Sequence, residues 1–283
     1  MPAYPIVDTH LHVWDPSNLR YPWLSGAPKI NRSLLLEDYR RACGTVGVAK
    51  MVFVQCECDP AQFLDEAAWV SQLAKQDARI RGIVPWAPLE LGGWAEEPLA
   101  RLSADPLVKG IRRIIQFEPD QEFCLKPSFI EGVKLLPRFG LSFDLCINHS
   151  QMVNTLKLVR QCPEVNFVLD HIGKPSIRTN ELDPWRAHIT EFAALPNVWC
   201  KLSGLATEAD HEHWTPDQFR PYAEHVFSTF GCSRTMFGGD WPVSTQAIAY
   251  PRWVETLDSL TGGLSADERK DLYVRTGETF YRV

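Results

Sequence analysis

Two histidines, His10 and His12, stand two residues apart in the segment VDTHLHVWD, where they follow a short apolar run. Side chains alternate between the two faces of a β-strand, so both imidazoles and the Asp8 carboxylate are expected on one face. Paired imidazoles can hold a metal ion or polarise a carbonyl group, but histidines also occur as hydrogen-bonded core residues or on a solvated strand face. The pair alone leaves these interpretations open.

Polar and aromatic residues also follow the other apolar runs of the chain. In chain order they are Gln55 and Glu57, Trp86, Arg112, Asp144 and Asn148, His171 and Lys174, Lys201, and Asp240 with Trp241. Each of them has a structural alternative when taken alone. Asp240 could cap a helix, Arg112 or Lys201 could close a buried ion pair, and Asp170 could orient a neighbour.

The elements that must position these residues follow a regular alternation. Eight short, β-branched runs predict strands: PIVDTHLHV, KMVFVQC, RIRGIVPWA, VKGIRRII, LSFDLCI, VNFVLDHI, NVWCKLSG and TMFGGDW. Stretches with helical periodicity separate them, among them AQFLDEAAWVSQLAKQ, PSFIEGVKLLPRF, SQMVNTLKLVRQC, DPWRAHITEFAAL and PDQFRPYAEHVFSTFG. Alternating strands and helices predict parallel βαβ units.

Eight such units in 283 residues favour a single α/β domain over residues 1–283, a closed (β/α)₈ TIM barrel. An open dinucleotide-binding sheet is disfavoured because no G-x-G-x-x-G follows the first strand. In a barrel, functional residues lie at the carboxyl ends of the strands, so the polar residues above are expected at one mouth. The long, aromatic segment 15–33 after the first strand is predicted to cover that mouth as a lid.

Composition excludes several classes of protein. The net charge is −6 and the basic residues are scattered, so no nucleic-acid partner is expected. No signal peptide or membrane-spanning run is evident, which predicts a cytoplasmic protein without a membrane partner. Eight cysteines without a C-x-x-C pair indicate reduced thiols, and Cys56-x-Cys58 is only a weak indication of a metal site.

Several motifs together make the chain similar to a known family. They are DTHLHVWD at 8–15, GIRR at 110–113, LDHIGKP at 169–175, KLSGL at 201–205 and FGGDWPV at 237–243. In this order they resemble the amidohydrolase superfamily, in its amidohydrolase 2 branch, which includes sugar lactonases of the L-fuconolactonase and L-rhamnonolactonase type. The resemblance covers essentially the whole chain.

That resemblance implies a (β/α)₈ barrel with functional residues His10, His12, His171 and Asp240. Metal-dependent members add a bridging lysine or glutamate on the fourth strand and a histidine on the fifth. Here the fourth strand offers Arg112, and a two-metal centre needs a bridging anion. The remaining alternatives are one zinc ion held by His10, His12 and Asp240, or no required metal, as the resemblance to the lactonases implies.

The expected reaction is the opening of a sugar lactone to the sugar acid, with Asp240 as general base on water. His10, His12 and His171, with Arg112 or Lys201, would stabilise the oxyanion. The residues expected to contact the substrate are Trp14, Trp23, Trp86 and Trp241 on its ring, and Gln55, Glu57, Asp144, Asn148, Lys174 and Lys201 on its polar groups.

Two other functions remain open from the sequence. One is a metal-dependent amide hydrolase or decarboxylase of the same superfamily, and the other is a non-catalytic barrel that binds a sugar acid. The presence of Asp240, which a binding protein could lose, favours the enzyme.

Overall fold

The computed structural model describes residues 1–283. Eight parallel strands alternate with helices along the chain, which confirms the (β/α)₈ barrel. The strands are β1 (Ile6–Leu11), β2 (Val48–Val54), β3 (Ile80–Val84), β4 (Gly110–Ile111), β5 (Ser142–Leu145), β6 (Phe167–Leu169), β7 (Val198–Leu202) and β8 (Thr235–Phe237). Seven of the eight apolar runs contain one strand each, and β2 begins two residues before the run KMVFVQC.

Ten α-helices accompany the strands. They are α1 (Leu36–Cys43), α2 (Phe63–Gln76), α3 (Glu96–Ser103), α4 (Pro127–Leu135), α5 (Met152–Gln161), α6 (Trp185–Ala193), α7 (Pro216–Phe230), α8 (Tyr250–Leu260), α9 (Ala266–Lys270) and α10 (Thr276–Tyr281). The five stretches with helical periodicity correspond to α2, α4, α5, α6 and α7. The sequence analysis did not single out α1 and α3, which have eight residues each and bury only three and two of them.

Local sequence explains where the helices begin and end, as α7 illustrates. Thr215 and Gln218 form a capping box in which the Gln218 side chain accepts a hydrogen bond from the Thr215 amide at 3.0 Å. Pro216 occupies the first turn, where no amide donor is needed. The helix stops at Gly231, whose φ of +68° lies in the left-handed region that glycine adopts readily.

The barrel consists of two ladders, β1-β2-β3 and β4-β5-β6-β7-β8, which short bridges join at both edges. Ile83 of β3 pairs with Val108 just before β4, and Leu11 of β1 pairs with Trp241 just after β8. At the second seam the Asp240 amide donates to the His10 carbonyl at 2.8 Å. The first strand therefore meets the last one through the residues that were predicted to be functional.

Two apolar clusters fill the structure. The larger one contains 76 buried residues and lies between the strands and the surrounding helices. The smaller one fills the lower part of the barrel with inward-facing residues of four strands and with Phe280 and Tyr281 from the C-terminal helix α10. Arg282 donates to the carbonyls of Lys109, directly before β4, and Gly140, two residues before β5. The chain end thus covers the amino ends of the strands.

Three further observations concern the cysteines, segment 15–33 and the helices. All eight cysteines are buried. Segment 15–33 contains one short 3₁₀ helix, Pro22–Gly26, and its lid function stays a prediction. No helix is long and apolar enough to serve as a transmembrane span.

The apolar floor of the barrel generates a stability prediction. Phe280→Ala should lower the free energy of unfolding by about 3 kcal/mol, since the truncation leaves a cavity where the barrel interior cannot collapse. Urea unfolding followed by circular dichroism measures the change. Trp94→Ala is the matched control, because Trp94 is 85% exposed and its loss should change stability little. Equal effects of the two substitutions would contradict this account of the floor.

Candidate active site

A cavity of about 320 Å³ opens at the carboxyl ends of the strands. His12, Arg112, His171 and Asp240 line it, and His10 lies directly behind them with no exposed surface. The structure thus brings together all five residues that were predicted to act on the reacting bond. A concave site of this size, with several ionisable groups, suits a small molecule.

The carboxylate of Asp8 ties this region together. Its Oδ1 accepts hydrogen bonds from the amides of Gly239 and His10 at 2.8 and 3.0 Å, and its Oδ2 accepts from the hydroxyls of Tyr39 and Tyr250 at 2.8 and 2.9 Å. Asp8 was expected on the same strand face as the histidines. An irregularity in the β1–β2 pairing after Asp8 interrupts the alternation, and the carboxylate binds tyrosines of α1 and α8 instead.

The turn that follows β8 presents Asp240 to the cavity. A Cβ atom at Gly239 would clash with the ring of Tyr250 and with the Asp8 carboxylate, so only glycine fits there. Asp240 itself has a φ of +52°, a strained conformation for a residue with a side chain. Strain of this kind persists where surrounding contacts hold it, and here the Asp240 amide and carbonyl are both hydrogen-bonded.

His12 and Asp240 face each other, and each presents a hydrogen-bond acceptor to the other. His12 Nδ1 lies 2.7 Å from the Val54 carbonyl, which only accepts, so Nδ1 carries a proton. Burial lowers the pKa of His12, so the ring is neutral and its Nε2 has a free lone pair, 3.5 Å from Asp240 Oδ1. Burial would raise the pKa of Asp240, but the nearby His171 and Lys174 bring it below its usual range. A proton donor or a cation can bridge such a pair of acceptors.

Arg112 holds the other histidine of the pair. Its Nη1 lies 3.2 Å from His10 Nε2 and 3.3 Å from Asp170 Oδ2, while Nη2 donates to the Gln55 carbonyl at 2.6 Å. A guanidinium only donates, so His10 Nε2 accepts. Burial lowers the pKa of His10 well below its usual value, so the ring is neutral, and its Nδ1 lies 3.3 Å from Lys201 Nζ and 3.4 Å from Asp170 Oδ1.

His171 lies beside His10, with a distance of 4.5 Å between the ring centroids. Its φ of +52° turns the side chain toward the cavity, and its Nδ1 lies 2.9 Å from Ser203 Oγ. A Cβ atom at Gly204 would collide with the His171 ring. The glycine of the KLSGL motif therefore makes room for this histidine.

Lys201 and Asp144 do not reach the cavity, contrary to the prediction that they contact the substrate. Lys201 Nζ lies 2.6 Å from Asp144 Oδ2 and 3.1 Å from Asp170 Oδ1, and all three side chains are fully buried. Strand alternation does direct them into the barrel, as expected. They lie one layer below the mouth, so their charges pair with each other instead of with a ligand.

One wall of the cavity is formed by Trp23 and Glu57. Trp23 Nε1 donates to the Cys56 carbonyl at 2.7 Å, which fixes the indole of segment 15–33 against the end of β2. Glu57 has a φ of +51°, and the buried Gln55 amide clamps it by donating to Oε1 at 2.7 Å and accepting from the Glu57 amide at 2.5 Å. Gln55 therefore does not line the cavity but orients a residue that does.

The opposite wall contains Lys174 and Glu208, whose charged groups lie 3.9 Å apart. Burial raises the pKa of Glu208, while the nearby Lys174 and His211 partly oppose this. Lys174 was predicted from the sequence, whereas Glu208 and His211 were missed. They stand on the loop after β7, where no periodicity or motif marks them.

Two predicted tryptophans support the cavity from behind. Trp14 borders it without exposed surface, packs edge-on against Trp23 at 5.3 Å between ring centroids, and donates to the Arg32 carbonyl at 2.9 Å. Trp241 is buried against Tyr39, 5.4 Å away between ring centroids, and is not part of the cavity wall. It lies on the outer side of the seam because its neighbour Asp240 points inward.

Two further predicted contacts also lie outside the cavity. Trp86 packs against Phe63 of α2 with ring centroids 5.2 Å apart. Asn148 Oδ1 accepts from the Ser150 amide at 3.0 Å and so caps a short 3₁₀ turn. The cavity includes other loop residues that the sequence did not indicate: Ile114, Gln116, Phe117, Cys146, Thr207, Val243 and Gln246.

A single metal ion would find three ligand atoms here. One atom each of His10, His12 and Asp240 lies within 4.8 Å of the others, and two imidazoles with a carboxylate suit Zn²⁺. The Nδ1 contact of His12 with a carbonyl is typical of a ligating histidine. The lone pair of His10 Nε2, however, already accepts from Arg112. The donor set fits one zinc ion, with His10 as its weakest ligand.

The fold and this site define a barrel enzyme whose polar groups meet at the carboxyl ends of the strands. Residues 7–283 match the Amidohydro_2 family, described as amidohydrolase, and the chain belongs to this family of hydrolases. An L-fucono-1,5-lactonase from Burkholderia multivorans is 31% identical, with 98% of this chain and 96% of the relative covered. One from Burkholderia ambifaria is 29% identical, covering 98% and 95%.

The fold comparison agrees with the sequence comparison. An amidohydrolase from Burkholderia multivorans, solved with bound zinc, superposes with a TM-score of 0.86 at 29% identity and covers 99% of this chain and 100% of its own. The barrel and the chain length are therefore shared with a relative that can carry zinc.

The position of Arg112 generates a prediction for metal binding. Arg112→Met should tighten zinc binding by roughly tenfold, since the substitution frees the His10 lone pair and removes a neighbouring positive charge. Isothermal titration of metal-free protein with zinc measures the dissociation constant. His12→Asn, which removes a ligand, serves as the opposite control and should weaken binding. An unchanged zinc affinity of Arg112→Met would show that the guanidinium does not compete for His10.

Proposed function

We propose that the protein hydrolyses a sugar lactone, an aldonolactone such as L-fuconolactone, to the open sugar acid, and that it requires no metal ion. The observation that carries this proposal is the Asp240 carboxylate, which faces the His12 lone pair in a cavity that Arg112 also lines. Both relatives described above are named for lactone hydrolysis, which supports the substrate class.

In the proposed mechanism Asp240 activates a water molecule. A water that donates one hydrogen bond to Asp240 Oδ1 and one to His12 Nε2 would keep an oxygen lone pair for attack on the lactone carbonyl. Asp240 takes one proton as the C–O bond forms. When the tetrahedral intermediate collapses, the ring C–O bond breaks and Asp240 returns that proton to the leaving ring oxygen. The net reaction adds one water molecule to the lactone and releases one hydroxy acid.

The developing oxyanion requires positive charge or hydrogen-bond donors. Of the two cations considered, Lys201 is fully buried and is paired with Asp144, whereas Arg112 lines the cavity. We therefore assign this role to Arg112, together with His171, which reaches the same cavity. A lactone is an activated ester, so a positioned water and a stabilised oxyanion suffice for its hydrolysis. A zinc ion held by His10, His12 and Asp240 would supply further polarisation of the carbonyl.

The walls of the cavity suit a hydroxylated ring. Trp23 offers a flat apolar surface for the C–H face of a sugar, and Glu57 offers a carboxylate oxygen that can accept from hydroxyl groups. Lys174 and Glu208 add a donor and an acceptor on the other side. Both signs of charge are present, which favours a neutral polyhydroxylated lactone over a simple apolar ester.

A panel of aldonolactones tests the proposal directly. At neutral pH each turnover releases one proton, because the sugar acid ionises, so a pH indicator in weak buffer follows the reaction. We expect turnover of at least one five- or six-membered aldonolactone above the spontaneous rate. Simple apolar esters and amides are the comparison substrates. Turnover of amides without turnover of any lactone would overturn the proposed function.

Metal removal makes a separate prediction. Activity should survive exhaustive chelation, since the proposed proton transfer and oxyanion contacts involve only side chains of this chain. The measurement is kcat/KM of chelated protein, with metal content determined in parallel and with zinc added back as the control. Loss of activity on chelation, followed by recovery with zinc, would show that the metal is essential.

Asp240→Asn tests the general base. Asparagine keeps the size of the side chain but cannot take a proton, so kcat should fall by roughly 10²- to 10⁴-fold with an unchanged thermal midpoint. If Asp240 merely caps a turn, asparagine is as good a cap and kcat should stay the same.

The pH dependence of the wild-type enzyme follows from the same residue. Its pKa is lowered below the usual range, so the active carboxylate persists in mildly acidic solution and activity from this group falls only as pH drops through that low pKa.

A further inference from the structure

A continuous chain of contacts leads from the C-terminal helix α10 to the active site. The Tyr281 hydroxyl donates to Asp144 Oδ2 at 2.7 Å, and Lys201 Nζ lies 2.6 Å from the same oxygen. Lys201 Nζ also lies 3.1 Å from Asp170 Oδ1. Asp170 in turn contacts His10 Nδ1 at 3.4 Å and, through its other oxygen, Arg112 Nη1 at 3.3 Å.

None of the three groups below Asp170 can touch a substrate. Tyr281, Asp144 and Lys201 have no exposed surface and do not line the cavity. Their arrangement is nevertheless specific, because Lys201 Nζ also lies over the Tyr281 ring, 5.3 Å from its centroid. The cations Lys201 and Arg112 balance the charges of the anions Asp144 and Asp170. The loss of one contact therefore shifts the other side chains or leaves a buried charge without a partner.

The upper end of this chain contacts Arg112, which the proposed reaction uses, and His10, which lies directly behind the cavity. Lys201 Nζ lies 3.3 Å from His10 Nδ1, and Asp170 Oδ1 lies 3.4 Å from the same nitrogen. Asp170 also binds the Arg112 guanidinium. The position of this carboxylate depends on Lys201, and the position of Lys201 depends on Asp144.

We infer that Tyr281, Asp144 and Lys201 are positioning residues of the hydrolytic site. They orient His10 through Lys201 and Asp170, and they orient Arg112 through Asp170. Helix α10, which lies at the amino ends of the strands, thus helps to position active-site groups at their carboxyl ends. The kinetic consequences rest on the proposed lactonase function, whereas the orientation of His10 does not.

The ionisation of Asp144 predicts a pH dependence of kcat. Four groups face its carboxylate from different elements: Lys201 of β7, Asp170 after β6, Arg112 after β4 and Tyr281 of α10. Burial raises the pKa of Asp144 to about 6, an effect that Lys201 opposes and Asp170 reinforces. Protonation of Asp144 removes the partner of Lys201, so kcat should decline as pH falls through this pKa. The ionisation of Asp240 lies lower and is separable.

Tyr281→Phe is the decisive variant, because it removes one hydroxyl and keeps the ring over Lys201. We expect kcat to fall by about tenfold with KM within about twofold, since the substrate contacts are unchanged. Loss of the hydroxyl hydrogen bond should also shift the acid limb of the kcat profile upward by about one pH unit. Tyr222→Phe is the matched control, because its hydroxyl bonds to the Glu181 carbonyl, outside this chain of contacts.

Asp144→Asn provides a second variant that does not depend on the tyrosine. It imitates the protonated carboxyl, so kcat should be low at every pH and the step near pH 6 should be absent. If that step belongs to another group such as Glu208, it will persist in Asp144→Asn, and the inference about Asp144 will be wrong.

A readout without substrate separates this inference from the proposed function. In protein with ¹⁵N-labelled histidine, the ring resonances of His10 should shift in Tyr281→Phe and Asp144→Asn but not in Tyr222→Phe. If the His10 resonances shift but no lactone is turned over, the positioning role of these residues is supported and the proposed lactonase function is refuted. Unchanged His10 resonances, or an unchanged kcat and pH profile in an active enzyme, would overturn the inference.

Discussion

The pairing of the Asp170 carboxylate with Lys201 and Arg112 is the interaction on which the site depends. A charge inside a barrel is tolerated only when opposite charges and hydrogen bonds surround it. Asp170 meets this condition by facing one cation below and one above, with the His10 ring between them. The interior therefore has an apolar floor, a layer of paired charges and a polar mouth, and each layer holds the one above it.

The two histidines of the H-x-H pair show how surroundings decide chemistry. His12 faces a carbonyl on one side and is free on the other, so its lone pair is available at the cavity. His10 faces a carboxylate on one side and a guanidinium on the other, so both of its nitrogens are engaged. Identical residues two positions apart thus differ in what they can offer to a ligand. This difference explains why the motif by itself does not determine whether a metal is bound.

Much of the fold was predictable because strand and helix periodicities are local properties of the sequence. The histidines and Asp240 could also be placed, since parallel strands bring their carboxyl ends to one mouth. Depth within the barrel was not predictable. Lys201 and Asp144 point inward as alternation requires, but the layer they occupy depends on the stagger of neighbouring strands.

Loop residues escaped prediction for a different reason. Glu208, His211 and Phe117 line the cavity from irregular segments, and Phe117 does so while 72% exposed. Trp86 and Asn148 were misplaced because residues beyond a strand end no longer follow its alternation. The relatives of this chain confirm the family, and the positions of these loop side chains follow only from the three-dimensional structure.

The seam between the first and the last strand has a consequence for folding. His10 and Asp240 are brought together where β1 meets the residues after β8, a contact between segments separated by most of the chain. Contacts of such long sequence separation form late, because the intervening chain must first be ordered. A partly folded barrel that has assembled its early strands would hold the histidines without their aspartate. Recovery of activity during refolding would then report closure of the ring rather than growth of secondary structure.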